Sequence, residues 1–178
     1  MSKPLNALTK ATEPAGTLCP VSRSTDLVGD RWSLVIVREL FMGLSRFRDL
    51  QAQTGATPQM LASRLKRLEA NGLLQRRPDP SRPSRHDYVL TAKGADLLPV
   101  LLALRSWGEK WCKAADEGVA LRTIHRVCGG EVDLDAFCPT CARPVAWSEV
   151  AALPTPNYVQ ERQKRAADFR DAEGASGD

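Results

Sequence analysis

Nowhere in these 178 residues does an apolar run approach the ~20 residues that a membrane-crossing helix needs, so no membrane partner is expected. The first sixteen residues hold no apolar segment of the kind that secretion requires, so the expected compartment is the cytoplasm. Internal repeats and low-complexity tracts are missing. So are a glycine-rich phosphate loop and a serine elbow, and histidine occurs only as His86 and His125. Acid–base or nucleophilic catalysis has little to draw on, and the chain is not expected to be an enzyme. The five cysteines are too few for a disulfide framework of this length. In a reducing compartment they read as metal ligands or reactive thiols.

What is present is an ordinary globular composition, 43% hydrophobic and 26% charged, enough for one domain with appendages. The net charge of +4 is unevenly spread. Residues 45–93 hold ten Lys/Arg against four Asp/Glu, so this segment carries +6 and the remainder −2. Such a block reads either as a solvated basic face or as a surface for a polyanion.

Apolar spacing predicts a first helix over residues 25–41 with Gly43 as its stop, and a second over 47–53 ended by Gly55. A third, over 58–70, has Thr57 as N-cap, Pro58 in the first turn and Asn71-Gly72 as its end. Its stripe of Leu61, Leu65 and Leu68 faces inward, while Gln59, Ser63 and Lys66 lie opposite with Arg67 on the flank. Two strand-like runs then flank a loop with three prolines and two arginines, which reads as a basic hairpin. Thr91 is expected to cap a long helix reaching Cys112, kinked or broken at Pro99. Its apolar set, from Leu97 to Trp111, is wider than a monomer's core requires.

Three helices followed by a basic hairpin and a long apolar helix define the expected fold class. It is α+β, mainly α: a winged helix-turn-helix with a long C-terminal dimerisation helix and a small Cys/His hairpin. The expected divisions are a flexible tail at 1–17, the DNA-binding and dimerisation domain at 18–115, the hairpin at 122–150 and a polar tail at 151–178. A short helix over 159–171 and a disordered end are expected within that last tail. The expected partner is double-stranded operator DNA. Gln59 and Ser63 suit base edges; Arg64, Lys66 and Arg67 suit phosphates or guanine; Arg82, Arg85 and His86 sit on the wing. Arg46 and the capping Thr57 complete the candidate set.

Taken as a set, several motifs resemble the HxlR-type transcriptional regulators, relatives of the MarR-type winged-helix proteins. They are Cys19-Pro20, Gly29-Asp30-Arg31-Trp32, Arg46-Phe47-Arg48-Asp49-Leu50, Met60-Leu61, Arg64-Leu65-Lys66-Arg67-Leu68-Glu69, Gly72-Leu73, Tyr88-Val89-Leu90-Thr91 with Gly94, and Trp107-Gly108. The resemblance spans roughly residues 19–112. It implies a homodimeric repressor or activator, released by a small molecule, an oxidant or another stress signal, and paired through the first and the long C-terminal helices. It also carries the role of redox thiol onto Cys19, while Cys112 reads as structural.

The remaining cysteines fall in the series His125-x2-Cys128-x9-Cys138-x2-Cys141, with Gly129-Gly130 and Pro139-Thr140 supplying tight turns. This is a Cys3His donor set for a structural zinc, closed to a catalytic water. The bland alternative is three reduced thiols in a hairpin without metal. Two other functions are open at this stage: a cysteine-dependent enzyme, and an interaction module in which the hairpin binds a partner.

Overall fold

A computed structural model describes residues 17–79, 82–114 and 116–175. Residues 1–16 of the expected N-terminal tail, the hairpin tip at 80–81 and the last three residues lie outside them.

The expected first helix is two. Helix α1 spans Pro20–Val28 and α2 spans Ser33–Phe41. The break is chemical. A Cβ on Gly29 would stand 2.5 Å from the Thr25 carbonyl oxygen. Asp30 then starts a new helix by accepting from the backbone N–H groups of Trp32 (3.0 Å) and Ser33 (3.1 Å) and from the Ser33 hydroxyl (2.5 Å). Helix α3, Phe47–Thr54, ends on Gly55 at φ +69°. Helix α4, Pro58–Ala70, begins where expected, with the Thr57 hydroxyl accepting from Met60 N–H.

Strands β1 (Leu74–Asp79) and β2 (Arg82–Leu90) form the antiparallel hairpin, Leu74 opposite Leu90. Its base is tied down by Tyr88 N–H donating to Ser45 O (2.8 Å) and the Thr91 hydroxyl donating to Gly72 O (2.6 Å). Ile36, Leu50, Leu61, Leu65, Leu68 and Leu74, all almost fully buried, join α2, α3, α4 and β1 in one core.

The long helix expected from Thr91 also divides. Thr91 caps a single turn, α5 (Ala92–Ala95), and α6 runs Leu98–Trp111 with Pro99 in its first turn. Beyond it lies a second small unit. Strand β3 (Leu121–His125) pairs antiparallel with β6 (Val150–Pro154), and between them β4 (Phe137–Cys138) pairs with β5 (Arg143–Pro144). Val132, Ala136, Cys138 and Val145 of this unit pack on Leu98 and Leu102 of α6.

The segment from Ala151, expected as a polar tail with at most a short helix, instead completes the β3–β6 sheet and forms a 20-residue helix, α7 (Pro156–Ala175). That helix lies against α3. Glu39, fully buried in α2, is held by Arg38 and by Arg162 of α7 through two bonds of 3.1 and 2.6 Å. Gln53 Nε2 donates to Arg162 O, and Arg165 donates to Gln53 O. A buried carboxylate needs such partners. From sequence, neither Glu39 nor Arg162 stands out from ordinary surface charge.

Candidate nucleic-acid interface and metal centre

Helix α4 buries its leucine stripe and leaves Gln59, Ser63 and Lys66 exposed. At 100° per residue these three fall within about 60° of one another, so they form one protruding face. Met60, 40% exposed, adds an apolar side chain beside it, of the type that meets a thymine methyl. In the sequence it stands out only within the Met60-Leu61 motif and not as a contact residue.

The arginines divide into two groups. Arg64 Nε is paired with Asp30 Oδ1 at 3.2 Å, and Arg67 donates to the Asp26 carbonyl at the end of α1. The Asp30 carboxyl is held below its ordinary range: burial opposes this, but the Ser33 hydroxyl, the Trp32 and Ser33 amides and the Arg64 charge outweigh it. Arg46 bridges Asp79 (2.7 Å) and Asp87 (2.9 Å) at the two strands of the hairpin. These three arginines therefore fix α4 to α1 and α2, and the hairpin to α3. Arg82, Arg85 and His86 are exposed on β2. Thr57 spends its hydroxyl on the cap.

Cys19 is exposed at the N-cap of α1. Arg23, a candidate neighbour for its thiol, donates instead to Thr17 O at 2.7 Å. Cys112 is also exposed.

In the C-terminal unit His125, Cys128, Cys138 and Cys141 converge, with their ligand atoms all within 4.8 Å of one another. His125 Nδ1 lies 3.3 Å from Cys128 Sγ and 3.4 Å from Cys141 Sγ; the Sγ atoms of Cys128 and Cys138 are 3.4 Å apart. A tetrahedral ion with ~2.3 Å bonds to sulfur needs edges of roughly 3.7 Å; these three pairs lie just inside that length and all pairs within 4.8 Å, so small side-chain adjustments fit the group to a zinc-sized ion. The turns are shaped for it. Gly130 N–H points at Cys128 Sγ (3.3 Å), and a Cβ on Gly130 would strike the Thr140 hydroxyl at 2.4 Å.

Outside the ligands, Glu149 accepts two bonds from Arg143 (3.0 and 2.7 Å), and His125 Nε2 has Arg143 Nη2 at 3.2 Å and Glu149 Oε1 farther off at 3.8 Å. The Arg143 hydrogen bond, helped by the Ala146 amide, brings the Glu149 carboxyl down to about 2. Burial works against ionisation of Cys138, yet the Cys141 amide and hydrogen bonds from Cys128 and His125 lower it to about 6. Cys141, hydrogen-bonded to Cys128, is pushed up to about 11. The cluster thus sheds its first proton readily, as a thiolate ligand set must.

A helix pair with an exposed polar face, a hairpin wing beside it and a long apolar helix following define a winged helix-turn-helix regulator. Residues 27–116 match the model of the HxlR-like helix-turn-helix family, and the chain belongs to that family. Among its relatives is the HTH-type transcriptional regulator Rv3095 of Mycobacterium tuberculosis, 36% identical over 138 residues, covering 78% of this chain and 87% of that one. The crystal structure of PA1607 is 37% identical with a TM-score of 0.61, covering 75% of this chain and 93% of that one. Both likenesses are longer than the segment 27–116 and so extend beyond the helix-turn-helix. The redox regulator HypR in its oxidized form is 28% identical with a TM-score of 0.50, covering 54% of this chain and 100% of that one. The protein is accordingly a DNA-binding transcriptional regulator and not an enzyme.

Proposed function

We propose that the protein acts in the cytoplasm as a homodimeric, operator-specific regulator, a repressor released by a chemical signal. Helix α4 enters the major groove with Gln59, Ser63 and Lys66, and Arg82 and Arg85 of the wing meet the flanking backbone. The observation that carries this reading is the exposed Gln59–Ser63–Lys66 face on a helix tied to the end of α1 and to the start of α2. Arg64, Arg67 and Arg46, expected to reach DNA, act here by positioning α4 and the wing. Homodimerisation is supported by the stripe of Val100, Leu104, Trp107 and Trp111, between 44 and 65% exposed on the outward side of α6. An apolar face of this size needs a cover, and a twofold dimer presents two α4 helices to half-sites about one helical turn apart.

The reading is tested by anisotropy of labelled DNA from the region upstream of the gene against a scrambled duplex. Gln59→Ala and Ser63→Ala should shrink the preference for the upstream DNA while leaving the scrambled duplex bound as before. Equal binding of both duplexes by the wild-type protein over all upstream sequence would contradict operator recognition.

His125, Cys128, Cys138 and Cys141 hold a structural zinc. When bound, the ion supplies the folding energy of a unit whose own apolar core is four side chains. Arg143, 3.2 Å from His125 Nε2 and itself held by Glu149, flanks the outer ring nitrogen while Nδ1 faces the thiols. One metal equivalent per chain by elemental analysis, lost in Cys138→Ser, is the expected result.

A second reading has a specific observation behind it. Cys19 stands exposed at a helix N-terminus, and HypR is a redox regulator. In that case oxidant abolishes operator binding, reductant restores it, and Cys19→Ser no longer responds.

A further inference from the structure

Between α2, α6 and the inner face of the β3–β6 sheet lies a cavity of about 450 Å³, within the range that small molecules occupy. Its walls are apolar: Leu34 and Phe41 of α2, Leu101 and Leu102 of α6, and Ala152 of β6. Trp147 also lines it, edge-on to Phe41 with ring centroids 6.4 Å apart.

Two lining residues, Arg105 and Thr123, carry polar atoms just behind this surface. Arg105 Nε and Thr123 Oγ1 are both buried and have no hydrogen-bond partner among the described residues. Thr123 as a whole is 6% exposed. Buried donors without partners are rare in native proteins and usually mark a missing water or ligand. The remaining charges on the walls are matched. Glu109 accepts from Lys113 Nζ (2.8 Å) and from Ala120 N–H, and Arg38 is committed to Glu39. Arg105 spends Nη1 on the Leu121 carbonyl (2.9 Å) and is in no ion pair among the described residues. Glu109 lies near enough for its carboxyl to be lowered, chiefly by its Lys113 hydrogen bond and to a lesser degree by the Arg105 charge; burial opposes the shift. The cavity therefore has an apolar body, a guanidinium that is in no ion pair among the described residues, and a hydroxyl.

We propose that this cavity binds a hydrophobic monocarboxylate, with its hydrocarbon part between α2 and α6 and its carboxylate accepting from Arg105 Nε and the Thr123 hydroxyl. The release of DNA by this molecule rests on the regulator reading above; the binding itself does not. Position makes the connection. Helix α6 forms one wall and also carries the proposed dimer stripe, and Thr123 is two residues from His125 on the same face of β3. A ligand that prefers the DNA-free arrangement lowers operator affinity by the factor by which DNA lowers its own.

The test uses full-length, metal-loaded protein. Benzoate, 1-naphthoate and decanoate are titrated by calorimetry, with 1-naphthamide as the uncharged counterpart of naphthoate. One equivalent of at least one acid should bind per chain, and the amide should bind at least about tenfold more weakly than its acid. Arg105→Met and Thr123→Val should each weaken the acid by about tenfold, and Ala152→Phe, which fills the space, should abolish it. Metal content and unliganded operator binding, measured on the same samples, report folding. If Ala152→Phe fails that control, Arg105→Met decides. The proposal is overturned if no acid binds the wild type, or if Arg105→Met binds as the wild type does. It is equally overturned if binding appears only in a dimer-breaking Trp107→Glu variant, since a second copy's helix then fills the cavity. Loss of operator binding by the unliganded wild type would instead strike the regulator reading and leave ligand binding standing.

Discussion

Individual side chains in this protein do one of two jobs, and exposure separates them. Lys66 is exposed on α4 and free to meet phosphate, whereas Arg64 and Arg67 are tied to Asp30 and the Asp26 carbonyl. Lys66→Ala should weaken binding to all duplexes alike, lower the salt slope by about one, and leave stability unchanged. Asp30→Ala should cost roughly 1–2 kcal/mol in urea unfolding, because it removes the α2 cap together with the hold on Arg64. Glu39 has a pH signature. Its burial opposes ionisation, but the Arg162 hydrogen bonds and the Arg38 charge hold its carboxyl below the ordinary range. A depressed folded value means that this stabilisation is fully present above the unfolded value, near ~4.3 for Glu, and disappears as pH falls through the folded one. Stability should fall on acidification below about pH 5, and Glu39→Gln should flatten that fall. Arg162→Ala at neutral pH leaves a buried carboxylate with Arg38 alone and should cost about 3–5 kcal/mol.

At the scale of elements, α3, α4 and the hairpin were legible because each carries its own local signal. Gly55 ends one helix in the left-handed region, Thr57-Pro58 starts the next, and two strand-like runs flank the proline-rich tip. The Cys/His unit was legible for the same reason, since ligand spacing is written locally. The breaks inside the two apolar runs were not. Hydrophobic period continues through Gly29-Asp30, and only the Asp30 cap and the Gly29–Thr25 approach force the division. Helix α7 escaped because its inward face is built from Tyr158, Arg162, Ala166 and Phe169, which give almost no apolar stripe, and because Glu39 pairs with it across more than 120 residues. With the proposed metal bound, the second unit depends on it for its fold. Glu149→Gln should lower metal affinity by about 10–100-fold, read by competition with a chromophoric chelator. Chelation of the wild type should melt the β3–β6 unit while the helix-turn-helix core, which shares no ligand with it, remains folded.

The whole molecule joins three bodies through two helices. The winged helix-turn-helix supplies the DNA face, the Cys/His unit packs on the start of α6, and α7 returns to clasp α2 and α3. Among the described residues no helix is long and apolar enough to cross a membrane. The outward stripe of α6 is the proposed seat of a second copy; on that reading Trp107→Glu with Trp111→Glu should shift the protein to monomer in sedimentation and raise the operator dissociation constant steeply. The most direct measurement is the salt dependence of operator binding, by anisotropy, for the wild type beside a variant carrying Gln59→Ala, Ser63→Ala and Lys66→Ala. If α4 reads DNA as proposed, wild-type affinity falls steeply with salt and exceeds that for scrambled duplex, while the triple variant folds, dimerises and loses the difference. A triple variant that keeps both full affinity and full preference would show that another surface reads the operator.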